Sequence, residues 1–71
     1  MERQVVESTH LKSIGYDNAN QVLEIEFLEG SIYHYFQVPP DVYAGLISAE
    51  SHGSYFDKYI KKEFFVYMKI S

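Results

Sequence analysis

The stretch Gly30-Ser31-Ile32-Tyr33-His34-Tyr35-Phe36-Gln37-Val38-Pro39 joins a tight turn, an aromatic strand and a helix start, and it constrains the fold more than any other part of the chain. Upstream of it, Gln21 to Leu28 alternates cleanly, with Leu23, Ile25 and Phe27 on one face and Glu24 and Glu26 on the other. That is the period of a half-buried strand. Glu29-Gly30 returns this strand into Ser31 to Val38, and the chemistry of the return decides which way the tyrosines point. A two-residue type I′ turn forces Glu29 into positive φ and sets Ile32, His34 and Phe36 opposite Phe27, Ile25 and Leu23. A three-residue loop of Leu28, Glu29 and Gly30 needs positive φ only at Gly30 and forms a bulge. The second return moves Tyr33 and Tyr35 onto the face of Ile25 and Leu23, and it is preferred because glycine takes positive φ freely.

Val38-Pro39-Pro40-Asp41 ends the strand, since Pro39 restricts Val38 and neither proline has a ladder donor. Pro40 suits the first turn of a helix, with Asp41 beside its positive end. Val42, Tyr43, Leu46 and Ile47 then form one stripe at helical spacing through about Ala49. Ser51 can cap a second helix, where Tyr55, Phe56, Tyr59 and Ile60 repeat the stripe and Lys58, Lys61 and Lys62 take the far face. Glu63 would rotate into the stripe, so the helix should end before it. Earlier, Val5 to Tyr16 leans toward strand with Leu11, Ile14 and Tyr16 as anchors, and Asp17-Asn18-Ala19-Asn20 reads as a turn. The run Phe64 to Ile70 is rich in strand formers and carries little charge, so it should pair as an edge strand, on its own sheet or across a dimer, or else be covered.

These elements predict an α+β fold: an antiparallel three- to four-stranded meander, near residues 10 to 17, 21 to 28, 31 to 38 and the C-terminal run, with two helices packed on one face. The 71 residues make a single domain with its core at about 8–70 and residues 1–7 expected to be mobile. Seven tyrosines and five phenylalanines suit a core built from few side chains, because each buried ring removes much apolar surface. With no cysteine, disulfides and thiolate metal sites are excluded. No signal peptide or bilayer-length apolar run is present, which predicts a soluble, cytoplasmic protein. Residues 1 to 50 hold two basic and eight acidic side chains, net −6, whereas residues 51 to 71 hold four lysines and two acids, net +2. An acidic body argues against strong nonspecific nucleic-acid binding, and the basic last third leaves room for one local patch.

The ordered motifs Ile14-Gly15-Tyr16-Asp17, Leu23-Glu24-Ile25-Glu26-Phe27, Gly30, Tyr33-His34-Tyr35, Val38-Pro39, Val42-Tyr43, Leu46 and Gly53-Ser54-Tyr55-Phe56 carry a family resemblance. From roughly Ser8 to Lys62 the chain resembles the KTSC domain, a short module named for its place at the C-terminus of some lysyl-tRNA synthetases and also found in stand-alone bacterial and phage-borne proteins. The family's hallmark Tyr-x-Tyr matches Tyr33 and Tyr35, with Gly30, Pro39, Gly53, Tyr55 and Phe56 as further motif positions. What the resemblance implies for function is RNA binding, by way of the synthetase context. Family members are richer in arginine around the second helix, where this chain has lysines, Glu63 and Phe65.

Each candidate site has a plainer alternative. Tyr33 and Tyr35 can stack bases, as strand aromatics of single-strand RNA binders do, or they can be core. Lys58, Lys61 and Lys62, with Lys69 nearby if the C-terminal run folds back, can grip phosphates or simply be a solvated face, with Asp57 pairing Lys61. His10, His34 and His52 lack metal-site spacing, so no metal and no cofactor are expected. Ser54, His52 and Asp57 supply triad residue types without a nucleophile elbow, so the chain is not expected to be an enzyme. Gly53 at a helix start offers backbone donors to an anion, or it eases the bend between two helices. Two functions follow. The first is an RNA-binding module for tRNA-like or single-stranded RNA, using Lys58, Lys61, Lys62, Lys69 and the aromatic strand with Tyr33, Tyr35 and His34. The second is a protein-interaction or homodimerisation module using the aromatic C-terminal strand. Neither a membrane nor a small-molecule substrate is expected as partner.

Overall fold

The fold is that of a computed structural model, which describes residues 2–63 and 65–71. Met1, in the lead expected to be mobile, and Phe64, at the head of the C-terminal run, lie outside the described residues. Five strands and two helices follow in the order β1 (Arg3–Val5), β2 (Leu11–Asp17), β3 (Val22–Phe27), β4 (Ile32–Tyr35), α1 (Pro40–Ser48), α2 (His52–Phe56) and β5 (Tyr67–Lys69). A π-helical turn, Asp57–Lys61, continues α2. The strands form one antiparallel sheet in sequential order, β1-β2-β3-β4-β5, so the architecture is α+β as predicted, with five strands rather than three or four.

The return at Gly30 sets the central register. Leu23 lies opposite Tyr35 and Ile25 opposite Tyr33, the pairing of the three-residue loop. Gly30 sits at φ +108°, its N–H donating to the Phe27 carbonyl at 3.0 Å while the Phe27 N–H donates to Ser31 at 2.9 Å. The Glu29 carboxylate accepts from the Ser31 N–H and hydroxyl and so ties the loop to the start of β4. At the β2–β3 return the Asp17 carboxylate accepts the Ala19 and Asn20 N–H groups at 3.1 and 3.2 Å, the mechanism that favours Asp in such turns.

Two elements differ from expectation. β4 ends at Tyr35 rather than at Val38, because Gln37 adopts φ +58° and re-aims the chain. The Val38 N–H then reaches the Gln21 carbonyl at 2.9 Å and its side chain is fully buried. Arg3–Val5, within the stretch expected to be mobile, forms the edge strand β1 instead. Its register puts Arg3 on the face of Glu24 and Glu26, with guanidinium to carboxylate distances of 3.6 and 3.9 Å.

Both helices cover one face of the sheet. Leu11, Ile14, Leu23, Ile25, Val38, Leu46 and Ile60 are fully buried there, with Tyr35 and Phe56 beside them. Ser51 caps α2, its hydroxyl accepting the Ser54 N–H at 3.3 Å. α1 and α2 approach closely at Gly45, where a Cβ would stand 2.6 Å from Cζ of Tyr55. The wider π-helical turn keeps Ile60 in the core and leaves Tyr59 at the rim, 4.6 Å from the Tyr55 ring. It ends at Lys61, short of Glu63 as the stripe requires. Among the described residues, no helix is long and apolar enough to cross a membrane.

Candidate functional site: a tyrosine-lined cleft

Alternation along β4 sends Tyr33 and Tyr35 to the helix side of the sheet, and pairing with β5 adds Tyr67 directly opposite Tyr35. The three rings form one cluster, with centroids 6.3 Å apart for Tyr33 and Tyr35, 5.7 Å for Tyr35 and Tyr67 and 5.9 Å for Tyr33 and Tyr67. Phe27 meets Tyr33 edge-on at 5.6 Å, and Phe56 meets Tyr35 edge-on at 5.5 Å, a preferred geometry for aromatic pairs. Exposure is graded along the cluster. Tyr35 is 7% exposed, Tyr33 half-buried and Tyr67 62% exposed. Burial, with smaller contributions from the Tyr33 and Tyr67 phenols, pushes the Tyr35 hydroxyl up to about 12.

These rings line one wall of a cleft of about 1110 Å³ that opens between the β4–β5 edge and α2 with its π-helical turn. Phe56 and Ile60 line its helix side, and His10, Glu29, Ser54, Asp57 and Lys61 bring polar groups to it. It therefore offers aromatic faces flanked by charges of both signs. This suits binding of a flat, partly polar group more than it suits a dense polyanion.

A family model described as "KTSC domain" matches residues 7–64, most of the chain and all of the residues named in the cleft except Tyr67. The chain belongs to the KTSC domain family. A solved structure of a KTSC domain protein from Yersinia pestis superposes with a TM-score of 0.92 at 43% identity, covering 99% of this chain and 97% of that one. A protein of Stutzerimonas stutzeri is 40% identical over 70 residues, 99% of each chain. A lysine–tRNA ligase of Nostoc punctiforme is 45% identical over 58 residues, which are 82% of this chain and 10% of the ligase.

Within this KTSC domain the candidate residues divide. Tyr33, Tyr35 and Lys61 share the cleft, and Lys69, opposite Tyr33 in the register, lies on the same side of the sheet. Lys58 stands with its Nζ 5.2 Å from the Tyr59 centroid, Lys61 has its Nζ 4.0 Å from Asp57, and Lys62 is exposed just after the turn. His34 is on the opposite face, its Nε2 3.0 Å from a Glu24 carboxylate oxygen, and takes no part in the cleft. There Arg3 meets both Glu24 and Glu26, while Lys12 at 3.9 Å and the Ser13 hydroxyl, donating at 2.8 Å, meet Glu26.

The remaining motif positions act in the scaffold. Gly30 makes the return, Pro39 precedes α1 at its cap, Tyr55 fills the space left at Gly45, and Gly53 lies where a Cβ would come 3.3 Å from Ser8 Oγ. The backbone donor beside Gly53, the Ser54 N–H, is already taken by Ser51. Ser54 and Asp57 line the cleft, whereas His52 points its Nε2 at the Ile47 carbonyl 3.3 Å away. Among the described residues, no three His, Asp or Glu side chains converge as metal ligands do. Tyr67, expected only as part of an aromatic edge strand, and His10, expected only as a histidine without metal-site spacing, both join the cleft. The face that Tyr67 takes follows only from the pairing of β5 with β4, while His10 reaches the cleft through a loop with no sequence signal.

Proposed function

We propose that this KTSC domain is a non-catalytic binding module that takes a single-stranded stretch of RNA, such as an unpaired segment of a tRNA, in the tyrosine-lined cleft. One observation carries the reading: Lys61 stands at a cleft whose wall includes Tyr33 and Tyr67, with Lys69 on the same side. A stacked base contributes about 1 to 3 kcal/mol whatever its identity, and flanking lysines hold the phosphates that follow it. Tyr67 and the open part of Tyr33 are the stacking faces. Tyr35, almost fully buried, supports them from below. Lys58 and Lys62 extend the basic edge along the helical turn. Relatives that are lysine–tRNA ligases give the domain a tRNA context, and such a ligand fits a cytoplasmic setting.

Glu29 and Asp57 beside the cleft fit this ligand better than duplex RNA, because they oppose a broad phosphate surface while leaving room for a base. The contact should be weak and sensitive to salt. Fluorescence anisotropy with a labelled single-stranded RNA at low salt tests it. Changing Lys58, Lys61 and Lys62 together to Glu is expected to lower affinity by roughly tenfold or more, and Tyr67→Ala to lower it without changing the salt slope. RNA affinity unchanged by the triple charge reversal would overturn the reading, and absence of binding at low salt would turn the search to a protein ligand.

A further inference from the structure

Among the described residues the sheet ends at β5, which pairs with β4 on one side only. Its bonds to β4 run through alternate residues: the Val66 carbonyl accepts from the Phe36 N–H at 2.8 Å, and the Ile70 N–H donates to the Ile32 carbonyl at 2.7 Å. In an antiparallel ladder successive residues turn their backbone groups to opposite sides, so Tyr67 and Lys69 direct theirs away from the sheet. The side chains here are exposed as well: Val66 by 69%, Tyr67 by 62%, Met68 by 56% and Ile70 by 47%. Lys69 is the only charged residue from 65 to 71. The other edge, β1, differs, since Glu2, Arg3 and Glu7 bring charge to it, which is how natural edges resist pairing.

We propose that β5 pairs antiparallel with β5 of a second copy of this chain, about a two-fold axis at Met68. In this register Met68 lies opposite the partner's Met68, and Val66 lies opposite the partner's Ile70. Tyr67 lies opposite the partner's Lys69, so each ammonium meets a phenol ring and not the other ammonium. A register shifted to oppose the two Lys69 side chains is disfavoured by their like charge. The outward backbone groups of Tyr67 and Lys69 all find partners, and Val66, Met68 and Ile70 of both copies form one apolar band on the outer face. The pairing is isologous and closes at two copies. It also delivers the partner's Lys69 to the Tyr67 side of each cleft, where it adds a cation to the proposed RNA site. The dimer itself does not rest on the RNA reading.

The absence of cysteine from the chain gives a clean test. Across a two-fold at Met68 the facing residues form a non-hydrogen-bonded pair with Cα atoms about 4.5 Å apart, within reach of a disulfide. Met68→Cys is therefore expected to give a covalent dimer on air oxidation, and Lys69→Cys to give little. Light scattering on the full chain over a dilution series should show the mass rising from one chain toward two. Lys69→Pro removes an outward N–H without touching the bonds to β4, and should hold the mass at one chain while the amide NMR spectrum stays folded. A one-chain mass at every concentration would overturn the proposal, as would a dimer that survives Lys69→Pro or that Met68→Cys fails to cross-link. Loss of RNA binding with the dimer intact would count against the RNA reading alone.

Discussion

Tyr33 stands directly opposite Ile25 across the β3–β4 pair, while His34, its neighbour in sequence, stands opposite Glu24 on the other face. One residue of loop length separates this arrangement from its inverse, in which histidine would enter the core and the tyrosines would face away from the helices. The tyrosine cleft therefore depends on the three-residue return and on Gly30 at its end.

Gly30→Ala tests that dependence. An added Cβ would meet nothing within 4 Å, so the cost is that of the backbone at φ +108° alone. A destabilisation of about 1 to 2 kcal/mol is expected in urea unfolding. An unchanged midpoint would mean that the loop does not need positive φ.

Gly45 and Tyr55 make a second test, since the phenol occupies the space that a side chain at 45 would fill. Gly45→Ala is expected to destabilise by about 1 to 3 kcal/mol through overpacking. In a double-mutant cycle with Tyr55→Ala, the pair should cost less than the sum of the single changes. Simple additivity would contradict the contact.

Tyr35 predicts an alkaline loss of stability. Its folded pKa is pushed up to about 12 by burial, against an ordinary value of 10.0. As pH rises, the unfolded chain loses this proton first, so the folded state binds more protons between the two values. The contribution is complete below the ordinary value and fades as pH climbs through the folded one. Tyr16, raised chiefly by burial and then by Asp17 and Asp41, acts in the same direction. Melting temperatures of Tyr35→Phe should fall less steeply than those of the parent above roughly pH 9.5. Equal slopes would contradict the assignment.

Asp17 predicts the opposite limb. Hydrogen bonds from the Asn20 side chain, then from its backbone N–H, hold the Asp17 carboxyl below its ordinary pKa. The stabilisation is present above the ordinary value and is lost as pH falls through the lower, folded one. Asp17→Ala should therefore be less stable than the parent at neutral pH, with the gap closing in acid. A gap constant across that range would argue against the turn.

Much of this was legible in the sequence because local rules and the fold agree. Gly30 fixed the face of the tyrosines, Asp17 and Asn20 marked their turn, and the stripe ending before Glu63 stopped the second helix where it does stop. What escaped was non-local. Arg3 and Val5 alternate over too few residues to announce a strand, and β1 depends on Glu24 and Glu26, which are distant in sequence. Gln37 at φ +58° carries no compositional sign, so β4 was expected to run on to Val38. Tyr67 completes the cleft only once β5 is known to pair beside β4. The lysines were grouped by helical spacing, which cannot tell that Lys61 lines the cleft while Lys58 stands against Tyr59.

The most direct test of the cleft as an RNA site is a two-dimensional NMR titration of the labelled domain with tRNA and with short single-stranded RNA, at low and at moderate salt. Shifts are expected at Tyr33, Tyr67, Lys69 and the Asp57–Lys61 turn that weaken as salt rises, with the His34 and Glu24 face unaffected. No shifts at low salt, or shifts centred on His34 and Glu24, would contradict it.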